Sequence, residues 1–308
     1  MELRQIFVSE LEKLMETDER VCILDADLAK ASGTLGLRSK FPDRAFDVGV
    51  AEANMTSVAA GMASYGLIPF ITTFGPFATR RACDQLALSV AYAKNNVKVV
   101  GTDPGITAEL NGGTHMPFED MSITRAIPNL IVFEPVDAEQ LKQAMPVIAY
   151  CDSPVYIRLA RKPQPDVFDE NYKFDLFKAD VIKEGKDVSI FATGIMMAKA
   201  VEAGKILAER GIDAEIINVH TLKPLDNKTV LDSIKKTGCA LTAENHSVIG
   251  GLYSAISELT AAEYPVKIAR VGIEDEPGQV GKLDELTEIY NLTAQAIVDK
   301  VVNELKNK

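Results

Sequence analysis

Apolar positions along the chain fall into two rhythms. Over residues 3–15, Leu3, Ile6, Phe7, Leu11 and Leu14 share one face of a 3.6-residue repeat, which predicts an amphipathic helix. The run "VCILDAD" (21–27) is instead a short apolar strand that ends in two acids. The same alternation repeats, with strand-like runs at 67–72, 97–101, 130–133 and 154–158 and helical spacing at 52–65, 77–94 and 137–150. A second series follows at 188–194, 214–219, 239–245 and 266–272, each run flanked by a helical stretch. Between the series, "KPQPDVFDENYKFDLFKADVIKEG" (162–185) is rich in proline and charge and weak in periodicity. Strands alternating with helices imply parallel sheets covered on both faces. The expected fold class is α/β, with two doubly wound domains of mainly parallel sheets over 1–165 and 186–308 and a linker over 166–185.

Composition narrows the picture. A length of 308 residues suits about two domains. A net charge of −11 argues against a nucleic-acid backbone or an anionic membrane surface as partner. Cys22, Cys83, Cys151 and Cys239 have no CxxC spacing, so they read as small residues of a reducing compartment and not as a disulfide frame or metal site. The acid-bearing start does not read as a secretory leader, and the expected location is the cytoplasm. Residues 53–79 carry no charge, but Asn54, Gly61, Gly66, Pro69, Gly75 and Pro76 break that stretch into helix, turn and strand. It reads as a buried layer and not as a membrane span.

Ligands on such sheets bind beyond the carboxyl ends of strands. The residues in those places are Asp25 and Asp27, Glu52, the turn from Thr72 to Phe77, the loop 102–118, and Arg158 to Lys162. Glu52 in "DVGVAEANM" suits two readings. It can complement a positive helix end, worth about 0.3–1 kcal/mol, or it can pair with a protonated ligand nitrogen. Phe74 and Phe77 flank a Gly-Pro turn and can stack on a flat heterocycle or fill core. The loop "TDPGITAELNGGTHMPFED" turns at Asn111-Gly112-Gly113 and presents His115, one of three histidines. In "YIRLARK", Arg158, Arg161 and Lys162 suit capture of phosphate or carboxylate, or ion pairs with neighbouring acids. His246 in "AENHSVIGG" reads as structural.

In order and spacing, "DVGVAEANM", "TTFGPFATR", "NGGTHMPFED", "IPNLIVFEPVDAEQL" and "SPVYIRLARK" resemble the pyrimidine-binding domain of the transketolase family. "GIDAEIINVHTLKPLD" and "VGIEDEPGQVGKLDEL" are similar to that family's carboxyl-terminal domain, so the resemblance spans nearly the whole chain. It implies thiamine diphosphate as cofactor and ketol transfer as chemistry. By this resemblance Glu52 contacts N1′ of the aminopyrimidine and favours the imino tautomer that deprotonates thiazolium C2. Phe74 and Phe77 pack around that ring, and Asp27 joins the cofactor set. His115 matches a histidine near the substrate hydroxyls, Arg161 the arginine for the sugar phosphate, and Ser32 joins it on a looser alignment. Asn111 and Asp103 fall at substrate-facing positions where sugar-specific members carry Asp and His, and Arg80 replaces a third ring.

The Gly-Asp-Gly motif that holds the cofactor's diphosphate is missing from the chain. The resemblance therefore implies an amino-terminal partner subunit that holds most of the diphosphate and its Mg2+ or Ca2+, with no metal ligand in this chain. It further implies homodimerisation within a heterotetramer, and xylulose 5-phosphate of the pentose phosphate route as default donor. Rival readings are a 1-deoxyxylulose-5-phosphate synthase-like chain, a 2-oxo acid dehydrogenase β subunit, and a non-catalytic regulatory subunit.

Overall fold

The computed structural model describes residues 2–306. Among the described residues twelve strands form: β1 (Val21–Asp25), β2 (Ala45–Asp47), β3 (Ile68–Phe74), β4 (Lys98–Thr102), β5 (Ile131–Phe133), β6 (Val155–Leu159), β7 (Asp180–Lys183), β8 (Val188–Ala192), β9 (Ala214–Asn218), β10 (Thr221–Lys223), β11 (Ala240–Ser247) and β12 (Ile268–Ile273). The first sheet has the order β10-β5-β6-β4-β3-β1-β2 and the second β12-β11-β8-β9-β7. Pairings are parallel except at one edge of each sheet, where β10 meets β5 and β7 meets β9 in antiparallel fashion. The expected α/β class with mainly parallel sheets is what the chain adopts.

Continuous apolar runs mark the central strands because helices cover both of their faces. β1, β4, β6, β8 and β9 are buried at every position. Neighbouring residues on a strand feed opposite cores, as with Tyr156 and Ile157. Ile157 joins Phe7, Leu11, Leu141 and Met145 from the helices Leu3–Thr17 and Ala138–Tyr150. Tyr156 joins a core that also takes Phe191, Ile217, Leu222 and Leu252 from the second half of the chain. The two halves thus share a hydrophobic layer.

The structure departs from the sequence reading in four places. The stretch 166–185 carries β7, and its Phe174 packs edge-on against Phe133 with ring centroids 5.6 Å apart. The short strands β2 and β10 were not foreseen, and β10 comes from the second half yet pairs in the first sheet. The segment 77–94 is not a regular helix. It winds in wide π-type turns over Phe77–Arg81 and Leu86–Tyr92, joined through Cys83–Gln85. Finally, the helix Glu52–Ser64 buries only one face, through Met55, Thr56, Ala59 and Ala60, while Val50, Val58 and Tyr65 around it stay exposed in the single chain. Among the described residues no helix is long and apolar enough to cross a membrane.

Candidate active site

Sheet register assembles the site. β3 ends at Phe74 opposite Thr102 of β4, and Thr102 lies opposite Leu159 of β6. The residues just past these three ends therefore emerge side by side, at the edge where parallel sheets hold ligands.

Glu52 opens the helix Glu52–Ser64 and is 3% exposed. Its Oε1 accepts a hydrogen bond from Arg81 Nη1 at 2.7 Å. The Arg81 guanidinium in turn lies 3.9 Å over the centre of the Phe77 ring. A planar cation thus sits between a buried carboxylate and an aromatic face. Phe74 and Phe77 pack at 6.0 Å between centroids, and the His115 ring stands edge-on to both, at 5.5 and 5.2 Å. Thr114 Oγ1 lies 2.8 Å from His115 Nδ1, and the His115 amide donates to the Gly112 carbonyl at 2.9 Å.

The two glycines ahead of His115 have a packing reason. Gly112 has φ +73°, and a Cβ on Gly113 would stand 2.5 Å from the Gly278 carbonyl oxygen. The second half of the chain therefore presses directly on the turn that carries His115. Together Pro76, Phe77, Arg80, Arg81, Gly113, Thr114 and His115 line an open cleft of about 650 Å3.

Beside the rings, Arg161 lies 5.6 Å over Phe74 and binds Asp103 Oδ1 through Nε at 2.5 Å. Asp103 is buried just past β4 with φ +58°. Burial raises its carboxyl above the ordinary range, and the Arg161 charge opposes that rise. Lys162 pairs with Glu109 at 2.6 Å, and Arg80 pairs with Glu119 at 2.9 Å.

Of the residues expected from sequence, Glu52, Phe74, Phe77, His115, Arg161 and Asp103 are thus brought together. Ser32 is buried near the end of β3, where its Oγ accepts from Thr72 Oγ1 at 3.2 Å. Asp27 is exposed past β1, in a left-handed conformation, and its amide donates to Asp47 Oδ1 at 2.9 Å. Asn111 stands exposed at the end of the 3-10 turn Gly105–Asn111.

Of the two readings of Arg158, capture of an anion or ion pairs with acids, the structure shows the second, and buried rather than at the surface. It lies inside β6, wholly buried, and its Nε and Nη1 bind Asp120 Oδ2 at 2.8 Å and Glu134 Oε1 at 2.6 Å. Its Nη2 reaches the Asn245 carbonyl at 2.7 Å, which ties the two halves together. Next to this network His246 is buried, its imidazole pushed down to about 4 by desolvation, which agrees with a structural role. Sequence reading missed Arg81, the partner of Glu52. The available signal was its place four residues after Phe77 on one winding segment.

The first part of the chain, residues 1–165, matches the family model "Transketolase, pyrimidine binding domain", and residues 177–297 match "Transketolase, C-terminal domain". The 6-deoxy-6-sulfo-D-fructose transketolase subunit SqwH of Clostridium sp. (strain MSTE9) is 54% identical over 307 residues, covering 99% of this chain and 95% of the relative. A 1-deoxy-D-xylulose-5-phosphate synthase of Caldanaerobacter subterraneus subsp. tengcongensis is 32% identical across 98% of this chain but only 48% of its own. Among solved structures, a split gene transketolase described as an inactive beta4 tetramer superposes with TM-score 0.90 at 40% identity, covering 99% of this chain and 98% of that one.

Proposed function

The chain belongs to the transketolase family, and on that premise we propose that it is the carboxyl-terminal subunit of a split, thiamine diphosphate-dependent transketolase. It moves a two-carbon ketol unit from an anionic ketose to an aldose acceptor. The donor we assign is a six-carbon ketose with a sulfonate on C6, in line with the relative at 54% identity. That sugar replaces the xylulose 5-phosphate suggested by the resemblance alone.

The observation that carries this reading is the pairing of Glu52 with the Phe77 face. The planar, protonated Arg81 guanidinium already rests on both, so carboxylate and ring fit a flat heterocycle that offers an N–H. Thiamine diphosphate, when bound, supplies the electron sink for cleavage of the ketose C–C bond. The chain's own residues do the rest. Glu52 holds a proton at N1′ of the aminopyrimidine, and Phe77 and Phe74 fix the plane of that ring. His115, with Nδ1 engaged by Thr114, hydrogen-bonds the substrate hydroxyls. Arg161, held by Asp103, takes the anionic end of the sugar; Ser32 and Asn111 are assigned to the substrate and Asp27 to the cofactor side. The diphosphate and its Mg2+ or Ca2+ belong to an amino-terminal subunit, with two copies of each chain acting in the cytoplasm.

Reconstitution tests the proposal. The chain, an amino-terminal partner subunit, thiamine diphosphate and Mg2+ are combined, and ketol transfer from 6-deoxy-6-sulfofructose is compared with decarboxylation of pyruvate. Ketol transfer that needs both subunits is expected. Pyruvate decarboxylation without ketol transfer, or full turnover by the chain alone, overturns the assignment.

A further inference from the structure

Four cations stand around the cleft and its loop, and each is tied to its own carboxylate. Arg161 binds Asp103 at 2.5 Å, Lys162 binds Glu109 at 2.6 Å, Arg81 binds Glu52 at 2.7 Å and Arg80 binds Glu119 at 2.9 Å. Their formal charges cancel pair by pair, in a chain whose net charge is already −11. Such a rim does not attract an anion of high charge.

The Arg161 pair is the most enclosed of those that lie beside the rings without touching Glu52. Asp103 keeps 3% of its side-chain surface and Arg161 keeps 24%. The pairing follows from register, because Thr102 opposite Leu159 sets the residue after β4 beside the second residue after β6. Thr102 Oγ1 lies a further 3.4 Å from Asp103 Oδ2. Any anion that Arg161 receives therefore meets a fixed buried acid at its back.

Sulfonates and phosphate monoesters both present a tetrahedral head of oxygens, but they differ in charge. A sulfonate carries one negative charge at any physiological pH. A phosphate monoester carries about −1.5 to −2 at pH 7, because its second ionisation lies near 6. An arginine whose charge is cancelled by a buried carboxylate receives the single charge with less repulsion than the double one.

We propose that Asp103 is a specificity-determining residue: by holding Arg161 in a salt bridge it sets the charge of the donor's anion subsite, admitting a monoanionic sulfonate and disfavouring a dianionic phosphate. The inference rests on the reading of Arg161 as the group that takes the anionic end of the donor. It adds a reason for the choice of sugar that lies in this chain's own side chains. Asp103 touches the arginine and works through it.

The test is donor discrimination by the reconstituted two-subunit enzyme. Values of kcat and KM are measured for 6-deoxy-6-sulfofructose and for fructose 6-phosphate with wild type, Asp103→Asn, Asp103→Ser and Arg161→Met, with melting curves to check folding. Asp103→Asn is nearly isosteric, so it removes charge and leaves the length of the subsite unchanged. Wild type is expected to prefer the sulfonate. Asp103→Asn should move the ratio of kcat/KM values towards the phosphate by roughly ten- to a hundredfold, chiefly through KM. Asp103→Ser serves the same purpose if the amide variant folds poorly. Arg161→Met should raise KM for both donors.

A folded, active Asp103 variant with an unchanged donor ratio overturns the role of Asp103, as does a wild type that prefers the phosphate. Arg161→Met with unaltered KM for both donors overturns the subsite reading beneath it. The two failures are therefore told apart.

Discussion

Replacing Arg158 by methionine removes the cation from a buried polar network. Asp120 and Glu134 are 0% and 4% exposed, and the arginine binds each of them directly. Without it, Asp120 keeps the Tyr156 hydroxyl at 2.7 Å and Glu134 keeps the Thr193 hydroxyl at 2.9 Å, but neither retains a positive partner. Breaking a buried pair from one side costs about 3–5 kcal/mol, a fifth or more of a typical stability of about 5–15 kcal/mol. Loss of the donation to the Asn245 carbonyl also weakens the seam between the two halves.

The pH dependence has a definite sign. Burial already lifts Glu134 above the ordinary carboxyl range, and Arg158 is the main force against that rise. Its removal lifts Glu134 further. A carboxyl whose folded value lies above its unfolded one stabilises while protonated and loses that contribution as pH climbs. The deficit of Arg158→Met against wild type should thus be smallest near pH 5 and grow towards pH 8. Urea denaturation followed by circular dichroism at three pH values measures it. A deficit below about 1 kcal/mol throughout, or one that shrinks as pH rises, refutes the reasoning.

Two further outcomes are expected. Glu52→Gln in the assembled enzyme should lower kcat about 10²–10⁴-fold with assembly and melting retained, because its partner Arg81 is half-exposed and rehydrates; a wild-type rate in the ketol-transfer assay excludes the proposed role. Glu244 is wholly buried, and desolvation pushes it up to about 8 against the pull of the Leu252 and Tyr253 amides. Its folded value exceeds its unfolded one of about 4.3, so its contribution is present at low pH and is lost as pH rises to about 8. Glu244→Gln should flatten that slope between pH 5 and 8 in denaturation curves, and a pH-independent difference from wild type counts against it.

The central strands were legible because burial on both faces leaves long apolar runs, as in β1, β3 and β4. The three-residue strands β2 and β10 are too short to carry a period, and β7 hides in a charged stretch because it lies at a sheet edge. Glu52, Phe74, Phe77 and His115 stand out as candidates in the sequence because strand ends and a glycine turn announce them. The pairings Glu52 with Arg81 and Asp103 with Arg161 were not, since partners 29 and 58 residues apart meet only through sheet register. The burial of Arg158 was hidden for a related reason. A charged residue within an apolar run looks like the run's end until its two buried carboxylates are seen.

The borrowed edge of the first sheet restricts how this polypeptide can be divided. Cutting within 166–185 strips β5 of its β10 neighbour and bares a row of unpaired backbone amides and carbonyls. Neither fragment is then a self-sufficient module, and the amino-terminal piece becomes a template for aggregation. Recombination between such enzymes, natural or engineered, has to carry residues from both sides of that cut as one cassette.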